Sequence, residues 1–102
     1  MPRARRVSAL IFALSVVFSG KVHSADDVSK NAGICGAAMQ SIGNRKAAQR
    51  AFSSAPNLNL ARKFAVDYWR RVGKETSDSE ARASALEAMR ACRSIGLWPP
   101  EK

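Results

Sequence analysis

Apolar positions recur at intervals of three and four along residues 28–95, which is the period of an amphipathic α-helix. Alanine is abundant and β-branched residues are scarce, which also favours helix over strand. The apolar pattern is interrupted at Gly43 and Asn44, at residues 53–57 and at Gly73. The pattern therefore predicts an all-α protein, with helices over residues 28–42, 45–53, 58–72 and 78–95.

The apolar stripes of these helices predict which side chains form the core. The stripe of the first helix consists of Ile34, Cys35, Ala38, Met39 and Ile42. The stripe of the third helix consists of Leu60, Ala61, Phe64, Ala65, Tyr68, Trp69 and Val72. The stripe of the last helix consists of Ala85, Leu86, Met89 and Cys92. Tyr68 and Trp69 are accordingly interpreted as core residues rather than as exposed binding aromatics.

The last helix has the clearest boundary signals. Ser77, followed three residues later by Glu80, has the spacing of a capping box, in which each residue satisfies an amide at the start of a helix. Gly96 supplies a residue that can adopt the left-handed conformation after the final turn, and Leu97 supplies the apolar contact that often accompanies it. Asn57 and Asn59 are the alternative caps of the third helix.

The first 24 residues have the three-part pattern of a secretory signal peptide. Arginines form a basic segment, the run from Val7 to Phe18 lacks charge, and small or modest residues precede a cut before Ala25. Because that run spans only about 18 Å as a helix, it is too short for a membrane core of roughly 30 Å. We predict a signal peptide over residues 1–24, one small helical domain over residues 25–102 and no transmembrane segment after cleavage. The expected location is the bacterial periplasm or the exterior of the cell.

Cleavage changes the charge and the chemistry of the chain. The full sequence carries 17 basic and 8 acidic residues and one histidine, for a net charge of +9. The predicted cut removes four of the basic residues, none of the acids and the histidine, so the charge falls to about +5. This charge favours an anionic partner, but it does not indicate nucleic acid, which an exported protein is not expected to bind.

Cys35 and Cys92 are predicted to form a disulfide, because two cysteines in a short exported chain usually pair. They are too far apart in sequence for a Cys-x-x-Cys redox site, and a zinc site needs about four ligands. Two buried free thiols are the alternative. A bond between the first and last helices favours an antiparallel arrangement of the two, so we prefer a disulfide-stapled bundle of four short helices. Three helices with a steep crossing are the alternative.

Catalytic chemistry is poorly represented in the predicted mature chain. It contains no histidine, its acids are scattered, and it has no glycine-rich phosphate loop or serine nucleophile motif. We therefore predict that the protein is not an enzyme and that it uses neither a cofactor nor a metal.

Basic residues in and just after the third helix, together with one tryptophan, are the candidate partner-binding residues. They are Arg62, Arg70, Arg71, Lys74 and Trp98. The alternative interpretation of the basic residues is an ordinary solvated helix face. Trp98 follows the last helix, where it either anchors a partner or folds back over the helix ends.

These features predict a small exported helical binding protein that modulates another envelope protein. Inhibitors, immunity factors, chaperones and accessory subunits of secretion or conjugation machines belong to this class. The partner is expected to be a protein, and an acidic one suits the charge. The alternative function is a membrane-active cationic secreted protein of the toxin or defence type, which would contact a membrane surface.

Overall fold

The computed structural model describes residues 24–100. The predicted signal peptide lies outside the described residues, except for Ser24. The described chain forms the helices α1 (Ala25–Ser41), α2 (Arg45–Ser53), α3 (Leu58–Gly73) and α4 (Asp78–Ser94), and it contains no strand. The predicted all-α fold and the preference for four helices over three are confirmed.

Short polar side chains cap the start of each helix. In every case a side-chain oxygen accepts a hydrogen bond from the amide three residues further on, which satisfies one of the free N–H groups of the first turn. The capping residues are Ser24, Asn44, Asn57 and Ser77. Gly43 and Gly96 follow α1 and α4 with φ angles of 79° and 80°, a left-handed conformation that glycine adopts without steric cost.

α1 is the central helix and packs against each of the other three. All residues from Ala32 to Met39 are buried, so this part of the helix is covered on every side. The sequence predicts a single buried stripe on α1, and that expectation is too narrow. At its C-terminal end it is also wrong, because Ile42 caps the helix and is 69% exposed.

Two glycines allow the neighbouring helices to approach α1 closely. A Cβ atom added at Gly33 would lie 2.1 Å from the carbonyl oxygen of Ala61 in α3. One added at Gly36 would lie 2.5 Å from the ring of Phe52 in α2. Glycine inside a helix costs about 1 kcal/mol relative to alanine, and the close packing of three helices offsets that cost.

The contacts of α1 define the direction of the other helices. α1 and α3 are parallel, because the Asn57 amide donates to the Ser29 hydroxyl at 2.9 Å and Gly33 meets Ala61 four residues further along both helices. α2 runs antiparallel to α1, because it starts just after the end of α1 while Phe52, near its own end, meets Gly36. α4 runs antiparallel to α3, because it starts just after the end of α3 while Cys92, near its own end, is bonded back to Cys35. The four helices therefore alternate in an up-down-up-down order.

Cys35 and Cys92 form a disulfide that joins α1 to α4, with an S–S distance of 2.03 Å and a Cα–Cα distance of 4.9 Å. The predicted pairing is confirmed, and neither thiol is free. Both residues are almost completely buried, at 1% and 0% exposure. α1 begins at Ala25 rather than at residue 28, so Cys35 lies beyond the middle of its helix rather than near its start.

α4 packs through a different face from the one that the sequence pattern predicts. Ala88, Ala91 and Cys92 are buried, whereas Ala85 is exposed and Leu86 is 40% exposed. The physical reason is the close approach of α1 and α4 at the disulfide, which small side chains permit and larger ones would prevent. Because α4 packs through this face, Leu86 points away from the core.

Candidate functional site

A groove of about 680 Å³ lies between α2 and α3. Both helices pack on α1, but they have few contacts with each other, so the space between them stays open. Its apolar lining comes from both walls and consists of Ala48, Phe52, Leu58, Ala65, Val66 and Trp69. Its polar lining consists of Gln40, Arg45, Gln49, Ser53 and Arg62. We call this feature the α2–α3 groove.

The α2–α3 groove collects a large share of the exposed apolar surface. Leu58, Val66 and Trp69 are 41%, 39% and 40% exposed, and all three line it. Single exposed apolar side chains are common on protein surfaces, but a contiguous group of them in a concave site marks an interaction surface. The groove is therefore the best candidate site in the part of the chain that the structure describes.

The indole of Trp69 is held in place at this site, because its Nε1 donates a hydrogen bond to the carbonyl oxygen of Ala37 at 3.2 Å. The prediction that Tyr68 is a core residue is confirmed, since it is 4% exposed, but the same prediction for Trp69 is wrong. Consecutive residues of a helix point about 100° apart, so Tyr68 faces the core while Trp69 faces the groove.

The charged side chains that line the groove are both arginines, Arg45 from α2 and Arg62 from α3. Neither of them forms an ion pair with another residue of the described range 24–100. No carboxylate from those residues lines the groove. The site therefore combines an apolar floor with uncompensated positive charge.

Of the predicted partner-binding residues, Arg62 lines the α2–α3 groove, whereas Lys74 and Trp98 do not. Lys74 caps the C-terminal end of α3. Trp98 lies beyond α4 and is 39% exposed.

The two remaining predicted residues, Arg70 and Arg71, are paired within the protein. The Nη1 atom of Arg70 lies 3.8 Å from the Oδ1 atom of Asp67. Arg71 donates two hydrogen bonds to the carboxylate of Glu87, at 2.8 and 3.3 Å, and hydrogen bonding to Glu87 raises the pKa of the guanidinium. The first contact lies within α3, and the second joins α3 to α4. An arginine that is paired with a carboxylate attracts an anionic partner less strongly than an unpaired arginine does.

Most of the groove is not apparent from the sequence. Val66 and Leu58 lie outside the main apolar stripe of α3, and together with Trp69 they form a second, narrower stripe at helical spacing. An apolar residue off the core stripe is the signal that would have indicated this surface.

Comparison of the chain with models of protein families, with curated proteins and with solved structures finds no match. Among residues 24–100 no helix has the length and apolar character needed to cross a membrane. The same residues contain no cluster of three or more histidine, cysteine, aspartate or glutamate side chains that could hold a metal ion.

Proposed function

We propose that the protein is a small exported helical binding protein that modulates another protein of the cell envelope, and that it holds a segment of that partner in the α2–α3 groove. The observation that carries this proposal is the exposed but immobilised indole of Trp69 at the end of an apolar groove that arginines flank. Tryptophan and arginine are the residues most enriched at the energetic centres of protein interfaces.

The disulfide supports the exported location. Structural disulfides persist in the periplasm and outside the cell and are rare in the cytosol. The staple also joins two helices of a small bundle, and a rigid binding surface loses little conformational entropy when a partner docks. Modulation by occupancy, as by an inhibitor, an immunity factor, a chaperone or an accessory subunit, suits such a scaffold.

We propose no catalytic activity for the groove. The ionisable side chains that line it, within residues 24–100, are two arginines, and an arginine stays protonated at neutral pH and cannot act as a general base. The chemistry of the lining suits recognition rather than bond cleavage.

Packing of α3 supports a protein partner over the alternative of membrane disruption. Ala61, Ala65 and Tyr68 are buried in the core, so inserting the apolar face of α3 into a lipid surface would require the bundle to open. Leakage of dye from anionic vesicles distinguishes the two functions, and we expect none from the oxidised protein.

Export is tested by the intact mass of the purified protein. We expect a chain that begins at Ala25, is lighter by two hydrogens than the reduced chain and accepts no alkylating reagent before reduction. A retained N-terminal segment, or two thiols that alkylate in the native protein, contradicts the exported location.

Partner binding is tested by photo-crosslinking in cells that express the protein natively. A photoreactive amino acid replaces Val66 in the groove or, as a control, Ala81 on the exposed start of α4. We expect an adduct with an envelope protein from position 66 only, and we expect Trp69→Ala to abolish it. Equal adducts from both positions, or an adduct that Trp69→Ala leaves unchanged, contradict the proposal.

A further inference from the structure

We infer that the segment that binds in the α2–α3 groove is an amphipathic helix with two carboxylates spaced two turns apart beside its apolar face. This inference rests on the proposed function and specifies the chemistry of the partner. The length of the groove, the nature of its walls and the positions of its two arginines support it.

The walls of the groove favour a helical occupant over an extended one. An extended segment binds by adding a strand to a sheet edge, where free N–H and C=O groups await partners. Both walls here are helices, whose backbone groups bond within the helix, so they offer no such edge. A partner helix, by contrast, satisfies its own backbone and contributes only side chains.

The groove also has the length of a short helix. Its lining on α3 extends from Leu58 to Trp69, which corresponds to about 16 Å, or three turns. Apolar side chains that project from one face of a partner helix at each turn would contact Leu58, Val66 and Trp69 in succession.

The two arginines lie toward opposite ends of this length. α2 is antiparallel to α3, so Arg45 at the start of α2 lies toward the end of α3 that carries Trp69. Arg62 lies seven positions before Trp69 on α3, which is about 10 Å along the helix axis from the end where Arg45 lies. Carboxylates two turns apart on a partner helix match that spacing.

Charge argues against a second copy of this chain as the occupant. The predicted mature chain is basic, with a net charge of about +5, and the groove itself presents only positive charge. Two copies would place like charges together, whereas an acidic helix would neutralise both arginines.

The test uses the full chain with Trp98→Phe, which leaves Trp69 as the only tryptophan. Three synthetic helical peptides of about 14 residues, all without tryptophan, share one apolar face. The first carries glutamates two turns apart beside that face, the second carries lysines at the same positions, and the third carries the glutamates on the opposite face. We expect the first peptide to shift the emission of Trp69 and to bind about tenfold or more tighter than either of the others.

Charge reversal then identifies the contacts. Arg45→Glu and Arg62→Glu are each expected to weaken binding of the first peptide at least two- to fivefold, because each removes one exposed ion pair and places two like charges together. The double variant is expected to prefer the lysine peptide. Lys63→Glu makes the same change one residue from Arg62 but outside the groove lining, and it should leave the difference between the peptides in place. Trp69→Ala should reduce affinity about tenfold or more, with Trp69→Phe as a milder variant; because both lack the fluorescent reporter, their binding is measured by calorimetry, and circular dichroism checks their folding.

The possible results separate the inference from the function on which it rests. Equal binding of the glutamate and lysine peptides overturns the acidic partner. Failure of all three peptides, together with a crosslinked envelope protein at position 66, overturns the helical partner and leaves the proposed function standing. A concentration-dependent dimer that Trp69→Ala abolishes, measured by analytical ultracentrifugation, makes a second copy the occupant and overturns the inference.

Discussion

Among single residues, Gly33 makes the closest approach between two helix backbones that the structure shows at a glycine. Replacement by alanine would improve the helix propensity of α1 by about 1 kcal/mol. It would also place a methyl group against the Ala61 backbone, which cannot move aside as a side chain can. We expect Gly33→Ala to lower the free energy of unfolding by about 1–3 kcal/mol, measured by urea denaturation.

Gly73→Ala is the matched control for this prediction. It makes the same substitution in the last residue of α3, where an added Cβ has no atom within 4 Å. Its effect should be close to zero or slightly stabilising. Equal urea midpoints for Gly33→Ala and Gly73→Ala would contradict a close contact between the backbones of α1 and α3.

Tyr68, the only tyrosine of the chain, gives the stability a dependence on high pH. Burial raises the pKa of its hydroxyl above the ordinary value of 10.0, and the carboxylates of Glu87 and Glu75 raise it further. The folded state therefore favours the neutral phenol, and this contribution is complete below pH 10. It is lost as the pH rises from about 10 towards the pKa in the folded protein.

We accordingly expect the free energy of unfolding to fall more steeply above pH 10 in the natural protein than in Tyr68→Phe. At neutral pH the variant should be less stable by about 0.5–1.5 kcal/mol, because the hydroxyl donates to the carbonyl oxygen of Ser84 at 3.0 Å. Parallel pH profiles of the two proteins would exclude Tyr68 as the titrating group.

At the scale of helices, the cap of α4 differs in one detail from the expected capping box. The Ser77 hydroxyl accepts from the Glu80 amide at 3.1 Å as predicted. The Glu80 carboxylate, however, reaches back one residue further and accepts from the Thr76 amide at 2.8 Å, which lowers its pKa. The cap of α4 therefore includes Thr76, the residue before Ser77, as well as the first turn of the helix.

We expect Ser77→Ala to cost about 0.5–2 kcal/mol of stability, the usual effect of removing such a cap. Ser79→Ala, in the same exposed turn but outside the cap, should have little effect. Thermal unfolding followed by circular dichroism measures both variants. Equal destabilisation by the two would mean that the serine cap contributes nothing particular to α4.

The ends of the helices could be predicted from sequence, but their buried faces could be predicted only in part. Caps such as Asn57 and Gly96 act on neighbouring residues, so local pattern contains the necessary information. The faces depend on which helix lies opposite. Because α1 is central, it also buries positions that lie outside its apolar stripe. Small residues beside the disulfide face α1 in α4, and Leu86 is left exposed.

The candidate site was the least predictable part for the same reason. Charge alone marks Arg62 in the sequence, but the groove exists because α2 and α3 both pack on α1 and have few contacts with each other. The close packing of α3 and α2 on α1 depends on Gly33 and Gly36, whose role is visible only when the partner helices are in place. The residues that line a groove between helices cannot be grouped without the helix positions.

For the molecule as a whole, the disulfide is the expected source of much of the net stability. Closing a loop of this length raises the free energy of unfolding by about 4 kcal/mol, because it lowers the entropy of the unfolded chain. The net stability of a small domain is not much larger than this contribution. We expect the Cys35→Ala and Cys92→Ala double variant to unfold at much lower urea than the oxidised protein. An unchanged midpoint would assign the stability to helix packing alone.

The position of the disulfide in the sequence determines what a protease can separate. Both walls of the groove, and every loop between helices, lie between Cys35 and Cys92 in the sequence. A single cut in any of those loops therefore produces two polypeptides that remain covalently joined through the core. Nicked molecules should run as one species until they are reduced, and the two walls of the groove can stay on their common central helix after the chain between them is broken.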